Sequence, residues 1–274
     1  MRYLIVLISL FFAFGGWAQI TKATYSLKVT MDFSASPNMP KDVADRIKQR
    51  LSKPQTFTLF FDKQQSIYKR EEKLDAPQQG NRGMRVMRFG SGGNDITHTN
   101  LATREQTLQQ EMFGKLFLVT KTLWTPKWNF TGETKQIGRY TAYEATYSYK
   151  QKPNQFRMSF GRRNNEDKEK EEPKEVEVTV SVWFTPDIPV SAGPDRFFGL
   201  PGLVLMVQDG KRIFVCTEVN MNTTEKIKLT PPKKGQKVTA EELAKIREEK
   251  TKEMRERFQN NSNRKGRNQI YIRR

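Results

Sequence analysis

The chain reads as mainly β: a large twisted antiparallel sheet, open to curvature, with one or two peripheral helices. Three observations predict this. Val176, Val178, Val180, Val182 and Phe184 alternate with Glu177, Thr179, Ser181 and Trp183, which is the period of a strand. The apolar runs Leu203–Val207 and Arg212–Val219 flank Asp209-Gly210, the strongest short-range hairpin signal. A helical period, by contrast, appears only after Pro40 and after Thr239.

Taken in order, Tyr25, Leu27, Val29 and Met31 alternate with polar residues over Thr24–Phe33, a half-buried strand. Pro40 opens a helix with Val43, Ile47 and Leu51 on one face, placed to close one end of the sheet. Strands follow at Thr56–Phe61 and Ser66–Arg70, joined by a turn at Asp62 to Gln65. Residues 75–95, rich in Gly, Arg and Gln, have no period and read as a long loop. Strand pattern resumes at Ile96–Asn100, Glu105–Glu111 and Leu116–Leu123, the last apolar enough to read as central. Asn129–Thr131 is a short strand, Gly132–Gly138 a polar connection, and Arg139–Lys150 a longer alternating strand. Residues 161–175 carry no apolar residue beyond Pro173 and read as a disordered hairpin tip. Ile227-Lys228-Leu229 is a candidate last strand. Thr239-Ala-Glu-Glu242 is a capping box for a charged helix over Ala240–Gln259 with a thin apolar stripe.

The organisation expected from this is a leader (1–18), one β-rich domain (19–230) and a charged helical or flexible tail (231–274). Arg2, the apolar run Leu4–Phe14 and Gly15-Gly-Trp-Ala18 have the order of a cleaved signal peptide. The run is too short to span a bilayer, so no transmembrane helix is expected in the mature chain. The expected location is therefore outside the cytoplasm: the periplasm first, with the cell surface or medium as alternatives. Cys216 is the single cysteine, so no internal disulfide can form and stability must come from the core. Lys and Arg number 48 against 30 Asp and Glu, a net charge of +18. In an exported protein this points away from nucleic acid and toward anionic lipid, anionic glycan or an acidic envelope protein.

In the hairpin, a two-residue loop at Asp209-Gly210 would put Leu203, Leu205, Val207, Phe214 and Cys216 on one face. Val204, Met206, Ile213 and Val215 would form the other. With both faces apolar, the hairpin belongs inside a sheet covered on both sides. Before it, Pro201 presets φ, and Gly202 is placed to supply the positive φ of a type II turn. Ser191-Ala-Gly-Pro-Asp-Arg-Phe-Phe-Gly-Leu-Pro-Gly-Leu-Val-Leu is similar to the signature of the GLPGLI family, exported proteins of one phylum of Gram-negative bacteria. Val182-Trp-Phe-Thr-Pro-Asp-Ile-Pro-Val and Trp128-Asn-Phe-Thr-Gly-Glu-Thr-Lys-Gln-Ile extend the resemblance over about Phe117 to Val219. Val204 stands where the name motif ends in Ile, and Ala142 where the family pattern leads us to expect Cys. The resemblance implies export to the envelope and an accessory role beside outer-membrane receptors; it assigns no reaction.

Catalytic templates fail on inventory. His98 is the only imidazole, no Gly-x-Ser-x-Gly elbow exists to partner it, and one His with one Cys cannot build a zinc site. No cofactor is expected. A Cys216–His98 pair is formally available, and Glu133 with Asp195, near Trp128, Trp183 and Phe197, could serve a carboxylate-based hydrolase acting on envelope glycans. The leading expectation is a non-catalytic envelope protein binding a hydrophobic or anionic partner, or assisting outer-membrane transport. A structural or assembly component is the third reading. The candidate binding residues are those of the signature stretch: Trp183, Pro194, Arg196, Phe197, Phe198, Gly199, Leu200, Pro201 and Gly202.

Overall fold

A computed structural model describes residues 19–30, 41–71, 95–151 and 175–268. Residues 1–18, read above as a leader, almost all of residues 75–95 and 161–175, read above as loops, and the side chains of Val43, Ile47 and Leu51 lie outside the described residues.

The strands are β1 (Thr21–Val29), β2 (Gln55–Phe61), β3 (Gln65–Arg70), β4 (Ile96–Asn100), β5 (Glu105–Met112), β6 (Lys115–Thr122), β7 (Asn129–Ile137), β8 (Tyr140–Gln151), β9 (Val176–Thr185), β10 (Leu203–Asp209), β11 (Arg212–Asn220) and β12 (Gln236–Lys237). The helices are α1 (Lys41–Ser52), which approaches β1, and α2 (Ala240–Asn268). The strands form one sheet in the order β12-β6-β5-β4-β3-β2-β1-β11-β10-β9-β8-β7. The fold is thus mainly β, and the sheet is open, with β12 and β7 at its edges. Each pairing is antiparallel except that of β12 with β6.

Local chemistry explains the joints. Asp62 Oδ1 accepts from the N–H groups of Gln64 and Gln65, each at 2.7 Å, and so closes the β2–β3 turn. The capping box of α2 is formed on both sides: Glu242 N–H donates to Thr239 Oγ1 (3.1 Å), and Thr239 N–H donates to Glu242 Oε2 (2.8 Å).

Several details differ from the sequence reading. The β10–β11 loop is Gly210-Lys211, because Asp209 pairs with Arg212 and stays in the ladder. A bulge at Leu205 (Val204 opposes Phe184, Met206 opposes Trp183) breaks the alternation of β10. Leu203 and Leu205 consequently pack with Tyr25, Leu59, Ile188 and Ala192. Val204 and Val207 pack instead with Val182, Phe184, Phe197, Leu200 and Phe214. Met206, Ile213 and Val215 are only half-buried, so that face of the hairpin is partly covered.

Gly132–Gly138 is not a connection. It continues β7, whose side chains are nearly all exposed because β7 is an edge strand. The apolar strand β6 is not central either. It lies one short strand from the other edge, and Leu243 of α2 covers Phe117 and Val119. Ile227 and Leu229 form no strand; they cross the sheet and pack on Phe60, Ile67 and Ile96.

Candidate functional site

The signature stretch folds back on the strands it connects. Leu203 N–H donates to the Ile188 carbonyl (3.0 Å) and Val204 N–H to the Ala192 carbonyl (2.9 Å), which ties the loop to the start of β10. Phe197 N–H donates to the Pro194 carbonyl at 3.0 Å across a turn in which Asp195 takes φ 55°, a conformation Asp tolerates. Apolar side chains then drop into the core: Phe197, Phe198 and Leu200 are buried, as are Pro194 and Gly202. Arg196, Gly199 and Pro201 remain at the surface.

Positive φ falls at Gly199 (92°) and not at Gly202, contrary to the type II turn read from Pro201-Gly202. Gly202 is required for a different reason. A Cβ there would stand 2.0 Å from the Thr185 carbonyl oxygen. At Gly193 a Cβ would likewise meet the Phe197 carbonyl oxygen at 2.0 Å. Both glycines permit backbone to touch backbone.

The nine candidate residues do not converge on one surface. Trp183 alternates with Val182 and Phe184, so it points to the opposite face of β9 from the Phe197–Leu200 cluster. Its ring lies beneath Lys135 Nζ (3.8 Å), which also reaches Met206 Sδ at 3.2 Å. Burial holds the Lys135 ammonium below its usual pKa.

Two surface features remain on the face covered by the loop. The first is an open depression of about 440 Å³ walled by Phe130, Gly132, Tyr143, Phe184, Pro186 and Pro201. It exists because β7 bulges between Phe130 and Thr134, with Gly132 at φ 82°, and bends away from β8. The Phe130 and Tyr143 rings stand 6.0 and 6.2 Å from that of buried Phe184 and are 58% and 40% exposed. Glu144 also borders the depression, but its carboxylate is taken up by Ser181 Oγ (2.6 Å) and Thr131 Oγ1 (2.9 Å). What faces solvent is carbon. Of the candidate residues, only Pro201 belongs to it; Phe130 lies in the Trp128–Ile137 stretch that extends the family resemblance and Tyr143 in an alternating strand, but neither pattern marks a side chain as exposed.

The second feature is a charged cluster. The Asp209 carboxylate, 2% exposed, accepts from Tyr149 Oη (2.9 Å), from Arg196 (3.0 Å) and from Arg212. Arg212 also reaches Asp195 at 3.4 Å. Tyr149 is raised above its ordinary pKa by burial and by its bond to Asp209. Two cations and two carboxylates are thus paired, and Arg196 is not a free anion receptor. Beside them Trp128 and Tyr147 meet edge to face at 5.1 Å, with the Trp128 indole N–H buried and unpartnered.

The catalytic options gain nothing from the geometry. Cys216 lies on β11 and His98 on β4, four strand spacings apart or about 19 Å. Burial pushes the Cys216 thiol up to about 12. His98 Nε2 lies 2.9 Å from Gln65 Oε1, and burial holds the ring below its usual pKa. Glu133 is exposed on edge strand β7, whereas Asp195 is ion-paired in the loop. Among the described residues no three His, Cys, Asp or Glu side chains come together as a metal site. No helix of the described residues is long and apolar enough to cross a membrane.

Against known proteins, residues 128–206 match a family described as "Protein of unknown function (Porph_ging)". The match runs from β7 to the middle of β10 and contains the signature loop whole. It lies within the stretch that carries the GLPGLI resemblance, which itself rests on the signature residues alone. No curated protein matches. Two solved structures of PNGF-II, in space groups C2 and P21, are 14% identical with TM-scores of 0.49 and 0.47. Each alignment covers 84% of this chain and 33% of the PNGF-II chain, so this chain spans about a third of those proteins.

Proposed function

We propose that this chain is an exported, non-catalytic envelope protein that binds a hydrophobic group in the aromatic depression on β7–β9. One observation carries the reading: Phe130 and Tyr143 are held exposed over buried Phe184, in a recess closed by Pro186 and Pro201, with no free polar group among them. Fully burying an exposed aromatic contributes about 1.5–3 kcal/mol, and Phe130 and Tyr143, 58% and 40% exposed, have roughly half of that still to gain. In this reading the signature loop is the builder of the site. Its buried Phe197, Phe198 and Leu200 anchor it, and Pro201 forms one wall. The partner is a lipid chain or an apolar side chain of an envelope protein, and the periplasm is the expected location. The paired acids of the charged cluster favour a structural role there over hydrolysis, since Asp209 already has three donors.

The test is native mass spectrometry with lipid extraction on protein purified gently from its own envelope, beside Phe130→Ser and Tyr143→Ser. A co-purifying lipid or partner that is lost in both variants, with unchanged melting, is the expected result. A clean mass for the unaltered protein, with no adduct and no partner, overturns the reading.

A further inference from the structure

A second groove lies on the other face of the sheet. Leu59 and Phe61 of β2 pack with Ile188 and Ala192 of the β9–β10 loop, whereas Phe60, between them, packs with Ile67, Ile96 and Leu229. On that face Thr58, Lys69, Ile96 and Gln109 oppose one another in register, a straight row across β2, β3, β4 and β5. The row is the floor of an open groove of about 760 Å³ that reaches from Lys22 on β1 to Leu116 on β6. Those ends are five strand spacings apart, about 24 Å. The groove therefore has the length of about seven extended residues.

The floor holds polar groups that the fold leaves unbonded. Thr58 and Gln109 are only 3% and 7% exposed, and among the described residues neither the Thr58 hydroxyl nor the Gln109 carboxamide has a hydrogen-bond partner. Such groups are normally satisfied, and here what they face is the groove. In the walls, Lys22 is paired with Glu225, and Glu111 N–H donates to Asp95 Oδ1 at 3.0 Å. Lys69 and Arg70 are half-buried with no ion pair among the described residues. Phe60 is the one aromatic among the lining residues, and it is closed to a ligand. It is 1% exposed, with the Nζ atoms of Lys22 and Lys69 at 5.7 and 5.2 Å from its ring centre. No aromatic face in this groove is open for a sugar ring to stack on.

We propose that the groove binds an extended acidic segment of a partner polypeptide. A carboxamide presents a donor and an acceptor side by side, which matches the N–H and C=O of an extended main chain. A carboxylate on that chain answers Lys69 and Arg70, and Ile96 and Leu116 give its apolar side chains a place to lie. The net charge of +18 draws an acidic segment in. The inference is independent of the aromatic depression, which lies on the opposite face over β7–β9.

The experiment is selection of displayed random peptides on the purified full chain, followed by fluorescence anisotropy of the enriched peptides. The comparison is with Gln109→Leu, with Lys69→Gln and Arg70→Gln combined, and with Phe130→Ser. Enriched peptides should carry Asp or Glu and should bind more weakly as salt is raised. Gln109→Leu and the double variant should each weaken binding about tenfold, the scale of one or two lost hydrogen bonds. Gln109→Leu should melt no lower than the parent, because its carboxamide has no partner in the fold to lose. Phe130→Ser should bind like the unaltered protein, which separates this groove from the depression. Failure to enrich any peptide, enrichment of peptides without acids, or undiminished binding in either groove variant overturns the proposal. Binding of chitotetraose that depends on Gln109, with no peptide bound, overturns it equally and makes the groove a glycan site.

Discussion

The Thr185 carbonyl oxygen occupies the space that a side chain on Gly202 would need, 2.0 Å from an ideal Cβ, with the carbonyl carbon at 2.6 Å. Backbone cannot rotate away as the tip of a flexible side chain can. Gly202→Ala therefore has to separate the end of β9 from the start of β10, at about 3 kcal/mol. Gly132 is the control. Nothing lies within 4 Å of its Cβ position, and only its φ of 82° opposes a side chain, so Gly132→Ala should cost about 1 kcal/mol. Urea melts of the two variants measure the difference; equal losses would sink the steric account.

Asp209→Asn should lower stability by about 2 kcal/mol. It removes the charge from a buried acceptor of three donors, although Arg196 and Arg212 are exposed enough to recover some hydration. A double-mutant cycle with Arg196→Ala should show coupling of about 1 kcal/mol or more. Additive losses would mean that the pair is not energetically joined. The result also bears on binding assays, because Arg196→Ala removes one of the three donors to a buried carboxylate and so loses more than a surface charge.

Cys216 should resist iodoacetamide at about pH 8 in the native protein and react once the chain is unfolded. The thiol is half-buried against Tyr25 and its neighbours, and this partial burial disfavours the thiolate. Mass spectrometry after labelling with and without urea reads this directly. Rapid native labelling would show an accessible thiol and reopen a nucleophilic role.

His98 should make the protein less stable below about pH 6.5. Its folded pKa is lowered, chiefly by burial, against an ordinary value near 6.5. Between the two values the unfolded chain binds the proton that the folded chain refuses, so stability falls as pH drops through this window and is flat above it. The Leu229 carbonyl, Glu105 and Asp62 oppose the shift without reversing it. Melting temperatures for the parent and His98→Gln, compared across this range, should converge as pH falls. Parallel curves would exclude His98 as the source.

Much of the sheet is legible in the chain because strand period and turn chemistry are local. β4 begins and ends where Ile96–Asn100 alternates, and the Asx turn at Asp62 follows from its own side chain. The signature stretch also announces itself, yet its role is not legible. Phe197, Phe198 and Leu200 have the composition of a binding patch and become core, because the loop returns its backbone to β10 through Ile188 and Ala192. Phe130 and Tyr143, which do face solvent, are ordinary strand aromatics until β7 is known to bulge and to be an edge.

What the sequence determined by itself is the class of fold, most of the places where strands turn, the capping box of α2 and the presence of a hairpin around Gly210. The tertiary structure alone decided the loop register, the bulges at Leu205 and in β7, the edge position of β7 and the pairing of β12 with β6. The reason is physical. A strand's own residues set its period, but its neighbour, its register and the water it meets depend on segments far along the chain. Asp209 shows this in one residue: local turn chemistry would put it in the loop, and Tyr149, Arg196 and Arg212 bond it within the ladder.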